Sequence, residues 1–363
     1  MVDLAGQYAR LKEPIDAAID RVLSSASFIR GPEVDAFESE LGAWLGAPVA
    51  TVANGTDALQ IALMALGVGP GDEVISPSFT FVATAEAASL LGAVPVFADI
   101  RPDTFTMDAE SLAAVITDKT RAIVPVHLFG QCADMDAIMA IADRHGIPVV
   151  EDAAQAIGSS WNGTQAGLRG AFGTLSFFPS KNLGCFGDGG AIVSRSPELL
   201  DKARLIANHG SRKKYHNEVV GVNSRLDALQ AAVLRVHLDQ LHDFTARRIA
   251  AADRYDALLD DVPGIARPFR HQASTHVFHQ YTLRIGRGRD AVQKALTADN
   301  IPSAIYYPVP LHRLPVYAHR ADLHVRTELT ETDKAAEEVL SLPMHTELTM
   351  AQQERIAACM LGA

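Results

Sequence analysis

Between residues 50 and 195, short β-branched runs alternate with stretches rich in Ala and Leu, and this alternation restricts the possible folds most strongly. The short runs suit buried strands, and the intervening stretches carry apolar residues on one helical face. Strands joined through helices run parallel, so the pattern predicts an α/β layer architecture. The predicted strands are Pro48–Ala53, Glu73–Ser76, Val94–Ala98, Ala122–Val126, Pro148–Glu151, Thr174–Phe178 and Ala191–Ser194. The predicted helices between them include Asp57–Leu66, Thr84–Leu91 and Asp134–His145.

The region after the last strand is predicted to be helical without interruption from Leu226 to about Leu259. Pro263 and Pro268 then mark a change to loop character, and we place a domain boundary there. Residues 1–263 are expected to form a large domain that includes an N-terminal helical segment, and residues 264–363 a small C-terminal α+β domain. The elements predicted in the small domain are a strand at Gln280–Ile285, a helix at Asp290–Ala298 and a last helix from Ala351.

Charge and composition restrict the partners of the chain. The net charge of −11 over 363 residues disfavours nucleic acid, which usually requires a basic face. No apolar stretch reaches the roughly 18 residues of a membrane span, and the N-terminus lacks a signal pattern, so the cytoplasm is the expected location. The three cysteines are not in CxxC spacing, which indicates neither a disulfide framework nor a metal site. An anionic ligand would need local devices, such as helix N-termini or the run Arg212-Lys213-Lys214, although such a run is usually a solvated loop.

A lysine, Lys181, follows an apolar strand and precedes the Gly-rich stretch that ends at Gly190. Lysine is mostly an exposed residue, so this placement needs a reason. Burial would lower the lysine pKa and favour the neutral amine that attacks an aldehyde carbon. A surface lysine in a flexible loop is the alternative, and the local sequence does not decide between them.

A carboxylate, Asp152, stands at the carboxyl end of a predicted buried strand, where ligands of open α/β sheets bind. If the ligand contains a pyridine ring, Asp152 suits the task of holding a proton on the ring nitrogen, and Gln155 is placed to reach a hydroxyl group on the same ring. Asp152 would alternatively cap the following helix.

A strand-to-helix turn at Asn54-Gly55-Thr56 points its backbone N–H groups at whatever lies beyond the helix, which is a geometry that binds phosphate. Ser176 would add a hydroxyl. Asn-Gly and Thr are also ordinary turn and cap residues, and the turn does not match the nucleoside-triphosphate loop. Phe81, just after another strand, would either stack on a planar ligand or pack in the core.

Taken together, these residues resemble the DegT family of sugar aminotransferases, over nearly the whole chain. The shared motifs are Asp3-Leu-x-x-Gln7, Gly31-Pro-Glu-Val34, Asn54-Gly-Thr-Asp-Ala-Leu59, Glu151-Asp-Ala-Ala-Gln155, Ser176-Phe-Phe-Pro-Ser-Lys181, Gly221-Val-Asn-Ser-Arg225 and Tyr307-Pro-x-Pro-Leu311. The resemblance implies the pyridoxal 5'-phosphate (PLP)-dependent transferase fold of the aspartate-aminotransferase type (fold type I). That fold has a large, mainly parallel sheet with helices on both faces and a small α+β domain.

The resemblance also implies roles for single residues. Lys181 would hold the cofactor PLP as a Schiff base, Asp152 would bind the pyridine nitrogen, and Gln155 would lie near the ring hydroxyl. Phe81 would stack on the ring, while Gly55, Thr56 and Ser176 would hold the phosphate. Pyridoxamine 5'-phosphate is the implied second form of the cofactor. Asn223 would reach the phosphate of a neighbouring subunit, so the implied assembly is a homodimer with shared sites.

The implied reaction moves an amino group from L-glutamate to a nucleotide-linked keto sugar. Stretches such as Lys181-x-Leu-Gly-Cys-x-Gly-Asp-Gly-Gly190 are similar to enzymes that aminate carbon 3 of a UDP-linked 3-keto N-acetylglucosaminuronic acid. Those relatives can carry His where this chain has Tyr306, so the preferred sugar is open. The candidate substrate-binding residues are His209, Tyr215, Arg225, Tyr306 and Tyr307.

Other functions remain to be weighed against this one. A 3-keto or 4-keto 6-deoxy sugar linked to UDP or dTDP is an alternative acceptor. The related sugar 3-dehydratases carry histidine in place of the lysine, and Lys181 is present here. A PLP-binding regulator would ordinarily need a DNA-binding module, and neither end of this chain has a basic helix-turn-helix segment. A nicotinamide enzyme would need a GxGxxG turn, which the first half lacks.

Overall fold

A computed structural model of the chain describes residues 1–286, 288–318 and 327–362. Within these residues no helix is long and apolar enough to cross a membrane. The helices are α1 (Leu4–Arg10), α2 (Lys12–Ser25), α3 (Pro32–Leu45), α4 (Gly55–Ala65), α5 (Ala83–Leu90), α6 (Ala109–Val115), α7 (Met135–His145), α8 (Pro197–Ala207), α9 (Ala228–Asp239), α10 (Leu241–Leu258), α11 (Arg289–Ala298), α12 (Pro315–Ala318), α13 (Thr330–Glu338) and α14 (Met350–Leu361). Short 3-10 turns lie at Leu128–Gly130 and Leu311–Arg313.

The strands form one central sheet, a C-terminal sheet and two small hairpins. They are β1 (Val49–Val52), β2 (Glu73–Pro77), β3 (Val94–Ala98), β4 (Thr120–Ile123), β5 (Val150–Asp152), β6 (Ser160–Trp161), β7 (Thr164–Gln165), β8 (Phe172–Ser176), β9 (Gly190–Val193), β10 (Ser211–Lys213), β11 (His216–Asn217), β12 (Ile265–Ala266), β13 (Tyr281–Ile285) and β14 (Val339–Leu342).

The central sheet has the order β3-β2-β4-β5-β8-β9-β1. Two parallel bridges, Ile123 with Val149 and Val126 with Asp152, join its two halves. Neighbouring residues on a strand face opposite sides, so Val74 and Ile75 enter different apolar clusters. Helices α4 and α8 contribute to one cluster, and α3, α7 and α9 to the other. Both faces of the sheet are therefore covered by helices, as expected for this class of fold.

One strand of the mainly parallel sheet, β9, runs in the opposite direction to its neighbours. This strand is antiparallel to both β8 and β1. The chain between β8 and β9, residues 177–189, contains no helix and makes no crossover, so β9 returns beside β8 in the opposite direction. The sheet remains mainly parallel, which agrees with the predicted fold class.

The region predicted to be helical without interruption from Leu226 to about Leu259 has one break. It forms two helices, α9 and α10, that meet at Gln240. The two helices have different partners, because α9 packs on α2 and α3 whereas α10 packs on α14. No Gly or Pro marks this break in the sequence, and the two different packing surfaces account for it.

A separate apolar core fills the C-terminal part of the chain, where the antiparallel sheet β12-β13-β14 packs against helices. The second half of α10 belongs to this core through Ala251, Ala252 and Tyr255. The domain boundary near residue 263 stays a prediction.

Candidate active site

The main cavity, of about 880 Å³, lies where the carboxyl ends of β1, β2, β5 and β8 meet the segments 279–280 and 305–308. Ligands of open α/β sheets bind at this edge. Nine residues predicted for the site line it, namely Gly55, Thr56, Phe81, Asp152, Gln155, Ser176, Lys181, Tyr306 and Tyr307.

The first wall of the cavity is the N-terminus of α4. Asn54 caps this helix by accepting a hydrogen bond from the Asp57 amide at 2.8 Å. The amides of Gly55 and Thr56 are the first two of the helix and have no acceptor within it. A Cβ atom on Gly55 would come within 2.7 Å of the Ser176 Cβ, so only glycine allows this close packing of α4 against β8. The result is a compact group of two amides and a hydroxyl at the positive end of a helix dipole.

The second wall carries Asp152, the last residue of β5. Its Oδ1 accepts a hydrogen bond from the Ala154 amide at 3.0 Å, but the described residues form no salt bridge with it. Burial raises the pKa of Asp152, while the Ala154 amide and the charge of Lys181 oppose that rise. A buried carboxylate that lacks a direct cationic partner is suited to bind a cationic group of a ligand.

Lys181 extends into the same cavity from the loop after β8. Burial lowers its pKa to about 8, although the negative charge of Asp152 favours the ammonium form. About a tenth of the amine is therefore uncharged at pH 7, far more than for an ordinary lysine, and this is the form that attacks a carbonyl carbon. The side chain is partly buried and lines the cavity, which favours this role over that of a surface lysine in a solvated loop.

Behind Asp152, Gln155 joins two parts of the cavity wall. Its Oε1 accepts a hydrogen bond from the Phe129 amide at 2.8 Å, and its Nε2 donates one to the Tyr307 hydroxyl at 3.0 Å. Burial raises the pKa of Tyr307, and the hydrogen bond to Gln155 opposes this shift. The phenol therefore stays protonated at neutral pH.

Aromatic rings close the mouth of the cavity. The Phe81 side chain is 54% exposed, and its ring centroid lies 6.4 Å from that of Tyr307. Two contacts of Ser78 attach the segment that carries Tyr307 to the loop after β2. The Ser78 carbonyl accepts a hydrogen bond from the Leu311 amide, and the Ser78 hydroxyl lies 2.8 Å from His312 Nδ1. Phe81 thus presents an open aromatic face to the cavity, rather than packing in the core.

The cavity lining is poor in positive charge. Its ionisable groups include the carboxylates of Asp57, Asp152 and Asp188, whereas Lys181 is the single Lys or Arg among the described lining residues. A ligand that carries phosphate groups would gain little from this lining beyond the α4 amides.

Four predicted residues lie outside this cavity. Asn223 and His209 are exposed, and Tyr215 is 86% exposed at the tip of the β10-β11 hairpin. Arg225 lines a separate cavity of about 90 Å³ beside Arg30. One chain therefore does not bring these side chains to Lys181.

Several residues of the site carried no signal in the sequence. His279 and Gln280 enter the cavity from the start of the C-terminal part of the chain. Ser224 locks its loop onto α4 by donating a hydrogen bond to Asp57 at 2.6 Å and accepting one from the Ala53 amide at 2.9 Å.

Below Asp152, a buried pair fixes the strand. Glu151 Oε2 lies 2.8 Å from His127 Nε2, and His127 Nδ1 accepts a hydrogen bond from the Ala133 amide at 3.1 Å. The ring is thus protonated at Nε2 and donates to the carboxylate. The His127 amide also donates to the Asp152 carbonyl at 3.0 Å, so this pair positions the end of β5.

The mainly parallel sheet, with a partly buried lysine and a buried aspartate at its carboxyl edge, defines a transferase fold of the aspartate-aminotransferase type. The chain belongs to the DegT/DnrJ/EryC1/StrS aminotransferase family, whose profile matches residues 9–361. The resemblance inferred from the motifs is thereby confirmed, as is an enzyme of the aminotransferase class.

Known proteins resemble the chain over almost its full length. It is 49% identical over 360 residues to the UDP-2-acetamido-2-deoxy-3-oxo-D-glucuronate aminotransferase of Pseudomonas aeruginosa, covering 99% of this chain and 98% of that protein. The crystal structure of Streptomyces venezuelae DesV in complex with a ketimine intermediate matches with a TM-score of 0.95 and 44% identity, covering 99% and 97% of the two chains. The structure of Ntda from Bacillus subtilis with bound cofactor PMP matches with a TM-score of 0.89 and 34% identity, covering 96% and 81%.

Proposed function

We propose that the chain is a PLP-dependent aminotransferase that moves an amino group from L-glutamate to a nucleotide-linked keto sugar. The preferred acceptor is carbon 3 of UDP-2-acetamido-2-deoxy-3-oxo-glucuronate. The observation that carries the proposal is the placement of Lys181, with its pKa lowered to about 8, in one cavity with Asp152 and the N-terminus of α4. The acceptor is supported by the 49% identical relative from P. aeruginosa that is named for this sugar.

The described residues fit the phosphate end of PLP. The amides of Gly55 and Thr56 and the hydroxyl of Ser176 would hold the phosphate. The absence of a side chain on Gly55, which the 2.7 Å approach to Ser176 requires, leaves the backbone bare for an anion to reach. This phosphate-binding site needs no lysine, which agrees with a cavity lining that offers few cations.

The ring end fits equally well. Asp152 is buried and forms no salt bridge with the residues that the structure describes, and a protonated pyridine nitrogen would supply the missing positive charge. Phe81 would stack on the ring from the mouth of the cavity, and Gln155 would lie near the ring hydroxyl. Each of these groups faces the same cavity as the Lys181 amine.

When bound, PLP supplies an electron sink for negative charge that develops at the α-carbon of an amino acid. Lys181 would bond to the cofactor before the substrate arrives. Released by the donor, its amine would move a proton from the α-carbon of glutamate to the cofactor and, in the second half of the reaction, from the cofactor to carbon 3 of the sugar. A pKa near 8 suits both directions, because the amine gains and loses a proton readily near neutral pH.

We further propose that two copies of the chain build each site. Three carboxylates and one lysine line the cavity, so a diphosphate-linked sugar would need cations and donors from elsewhere. The cofactor phosphate at the α4 amides would also accept hydrogen bonds from further donors. Asn223 and Arg225 lie outside the cavity of their own chain. In a dimer they would instead reach the cavity of the partner subunit. Asn223 would hold the phosphate of the partner's cofactor, and Arg225 would bind a substrate carboxylate through its planar fork.

The experiment is a set of matched acceptors incubated with the PLP-loaded enzyme and L-glutamate, with the amino sugar detected by mass spectrometry. UDP-2-acetamido-2-deoxy-3-oxo-glucuronate should react, and the UDP-linked 3-keto sugar without the 6-carboxylate should react more slowly. A dTDP-linked 4-keto 6-deoxy sugar is the third acceptor. Preference for that sugar would contradict the proposed acceptor, and no amino sugar from any of them would contradict the proposed reaction.

A further inference from the structure

His279 is a buried histidine of the main cavity for which the proposed reaction has no use. It lies two residues before β13 and is 5% exposed, yet it belongs to the cavity lining together with Lys181. Its backbone is firmly placed, since a Cβ atom on Gly130 would come within 2.8 Å of the His279 amide nitrogen. Arg248 also donates a hydrogen bond to the neighbouring Phe278 carbonyl at 3.1 Å.

Neither ring nitrogen of His279 has a good partner among the residues that the structure describes. Nδ1 is buried and forms no hydrogen bond with them. Nε2 is therefore the nitrogen that a ligand in the cavity would reach. It lies 3.5 Å from the side-chain nitrogen Nε2 of Gln280, at the outer limit of a hydrogen bond. Leaving a buried polar atom unpaired costs about 1–3 kcal/mol, so a group of this kind requires an explanation.

Burial and two nearby positive charges keep the His279 ring neutral. Burial, followed by the positive charges of Lys181 and Arg248, holds the pKa of His279 well below its ordinary value. The ring therefore offers one N–H donor and one acceptor, and no charge. Gln280, its neighbour in the cavity lining, offers an uncharged amide of the same dual character.

We propose that His279, with Gln280 beside it, binds a hydroxyl or acetamido group of the sugar acceptor and so helps to select it. This inference rests on the proposed function and names a residue that recognises the acceptor.

The chemistry of the pair favours the sugar over the amino-acid donor. Glutamate carries two carboxylates, whose recognition calls for cations or arginine forks. A sugar ring carries uncharged groups that both donate and accept hydrogen bonds, which a neutral imidazole and an amide match. The cavity lining also includes the apolar and aromatic side chains of Phe129, Ile305 and Tyr306, as in sites that hold a ligand by shape and a few polar contacts.

The test separates the two halves of the reaction in the PLP-loaded enzyme. His279→Phe keeps the size and removes both nitrogens, while His279→Asn restores an uncharged donor and acceptor. For His279→Phe, kcat/KM for the keto sugar should fall about 10- to 100-fold, the range for one hydrogen bond lost in a buried site. Bleaching of the cofactor absorbance by L-glutamate should stay within about threefold of wild type, and His279→Asn should recover most of the sugar reaction.

A second readout is specific to sugar contact. Wild type should discriminate between the sugar and the deoxy analogue that lacks the contacted group, and His279→Phe should lose that discrimination. His276→Asn is the matched control, because this buried histidine lies outside the main cavity and accepts a hydrogen bond from the Phe278 amide at 3.1 Å.

The inference is overturned if His279→Phe slows both half-reactions equally, lowers cofactor affinity, or changes neither half-reaction. It is also overturned if His276→Asn reproduces the effect. Failure of the proposed function looks different, because wild type itself would then show no bleaching by glutamate or no amination of a sugar.

Discussion

Gln155 donates a hydrogen bond to the Tyr307 hydroxyl at 3.0 Å and thereby ties the strand β5 region to the segment before α12 across the main cavity. The same side chain accepts a hydrogen bond from the Phe129 amide at 2.8 Å. The buried side-chain amide of Gln155 thus joins two segments that are far apart in the chain, and the shape of the cavity depends on it.

Removing the Tyr307 hydroxyl should therefore cost stability as well as activity. In Tyr307→Phe the Gln155 amide loses its acceptor in a buried position, and the free energy of unfolding should fall by about 1–2 kcal/mol. Denaturant unfolding measures this change. Tyr306→Phe is the control, since the Tyr306 hydroxyl has no hydrogen bond to the described residues. Equal stabilities of the two variants would show that the contact with Gln155 carries no weight.

The lowered pKa of Lys181 predicts how fast the apoprotein captures PLP at different pH. Only the uncharged amine reacts, and with a pKa of about 8 its fraction rises through pH 7 and 8 and levels off above about pH 9. The rate at which the near-visible band of the lysine-bound cofactor appears should follow that curve. A rate that keeps climbing tenfold per pH unit up to pH 10 would indicate an ordinary exposed lysine.

The buried pair below Asp152 predicts an acid-sensitive contribution to stability. Burial alone would raise the pKa of Glu151, but His127 and the amides of Gly170 and Gly167 outweigh burial and hold that pKa below its usual range. In Glu151→Gln the new amide group faces N–H donors, so the free energy of unfolding should fall by about 3–5 kcal/mol at neutral pH.

The pH dependence follows from the direction of that shift. The contribution of Glu151 is fully present above its unfolded pKa of about 4.3 and is lost as the pH falls through the lower folded value. The difference between wild type and Glu151→Gln should shrink over that acidic range. Glu40→Gln, which removes an exposed partner of Arg235, should change stability little at any pH. A difference that does not depend on pH would contradict an ionised Glu151.

The proposal that two copies of the chain share each site predicts that two inactive variants can restore each other. Lys181→Ala and Asn223→Ala damage opposite contributions to one site, so a mixed dimer contains one intact site and one doubly damaged site. Unfolding and refolding an equal mixture should give about a quarter of wild-type activity, because about half of the dimers are mixed. Refolding each variant alone is the control. No recovery in mixtures shown by mass spectrometry to contain mixed dimers would contradict the proposed contribution of Asn223 to the partner's site.

The sequence predicted the parts of the site that are encoded locally. The predicted residues lie at or just after strand ends, as Asp152, Lys181 and the turn at Gly55 do. Parallel strands bring these ends to one edge of the sheet. His279 could not be found in this way, because its place depends on the packing of a distant loop against Gly130. The antiparallel direction of β9 follows from the connection 177–189, which forms no helix, whereas the helix break at Gln240 follows from tertiary packing and has no local signal.

Lys181 is proposed to bind PLP and to serve the transfer of an amino group from L-glutamate. The most direct test of this claim is the near-visible absorbance of the PLP-loaded protein before and after L-glutamate, with D-glutamate and Lys181→Ala as controls. We expect a band of the lysine-bound cofactor that L-glutamate bleaches, that D-glutamate leaves unchanged and that Lys181→Ala lacks. A PLP-saturated wild type with the same spectrum as Lys181→Ala, before and after L-glutamate, would contradict the claim.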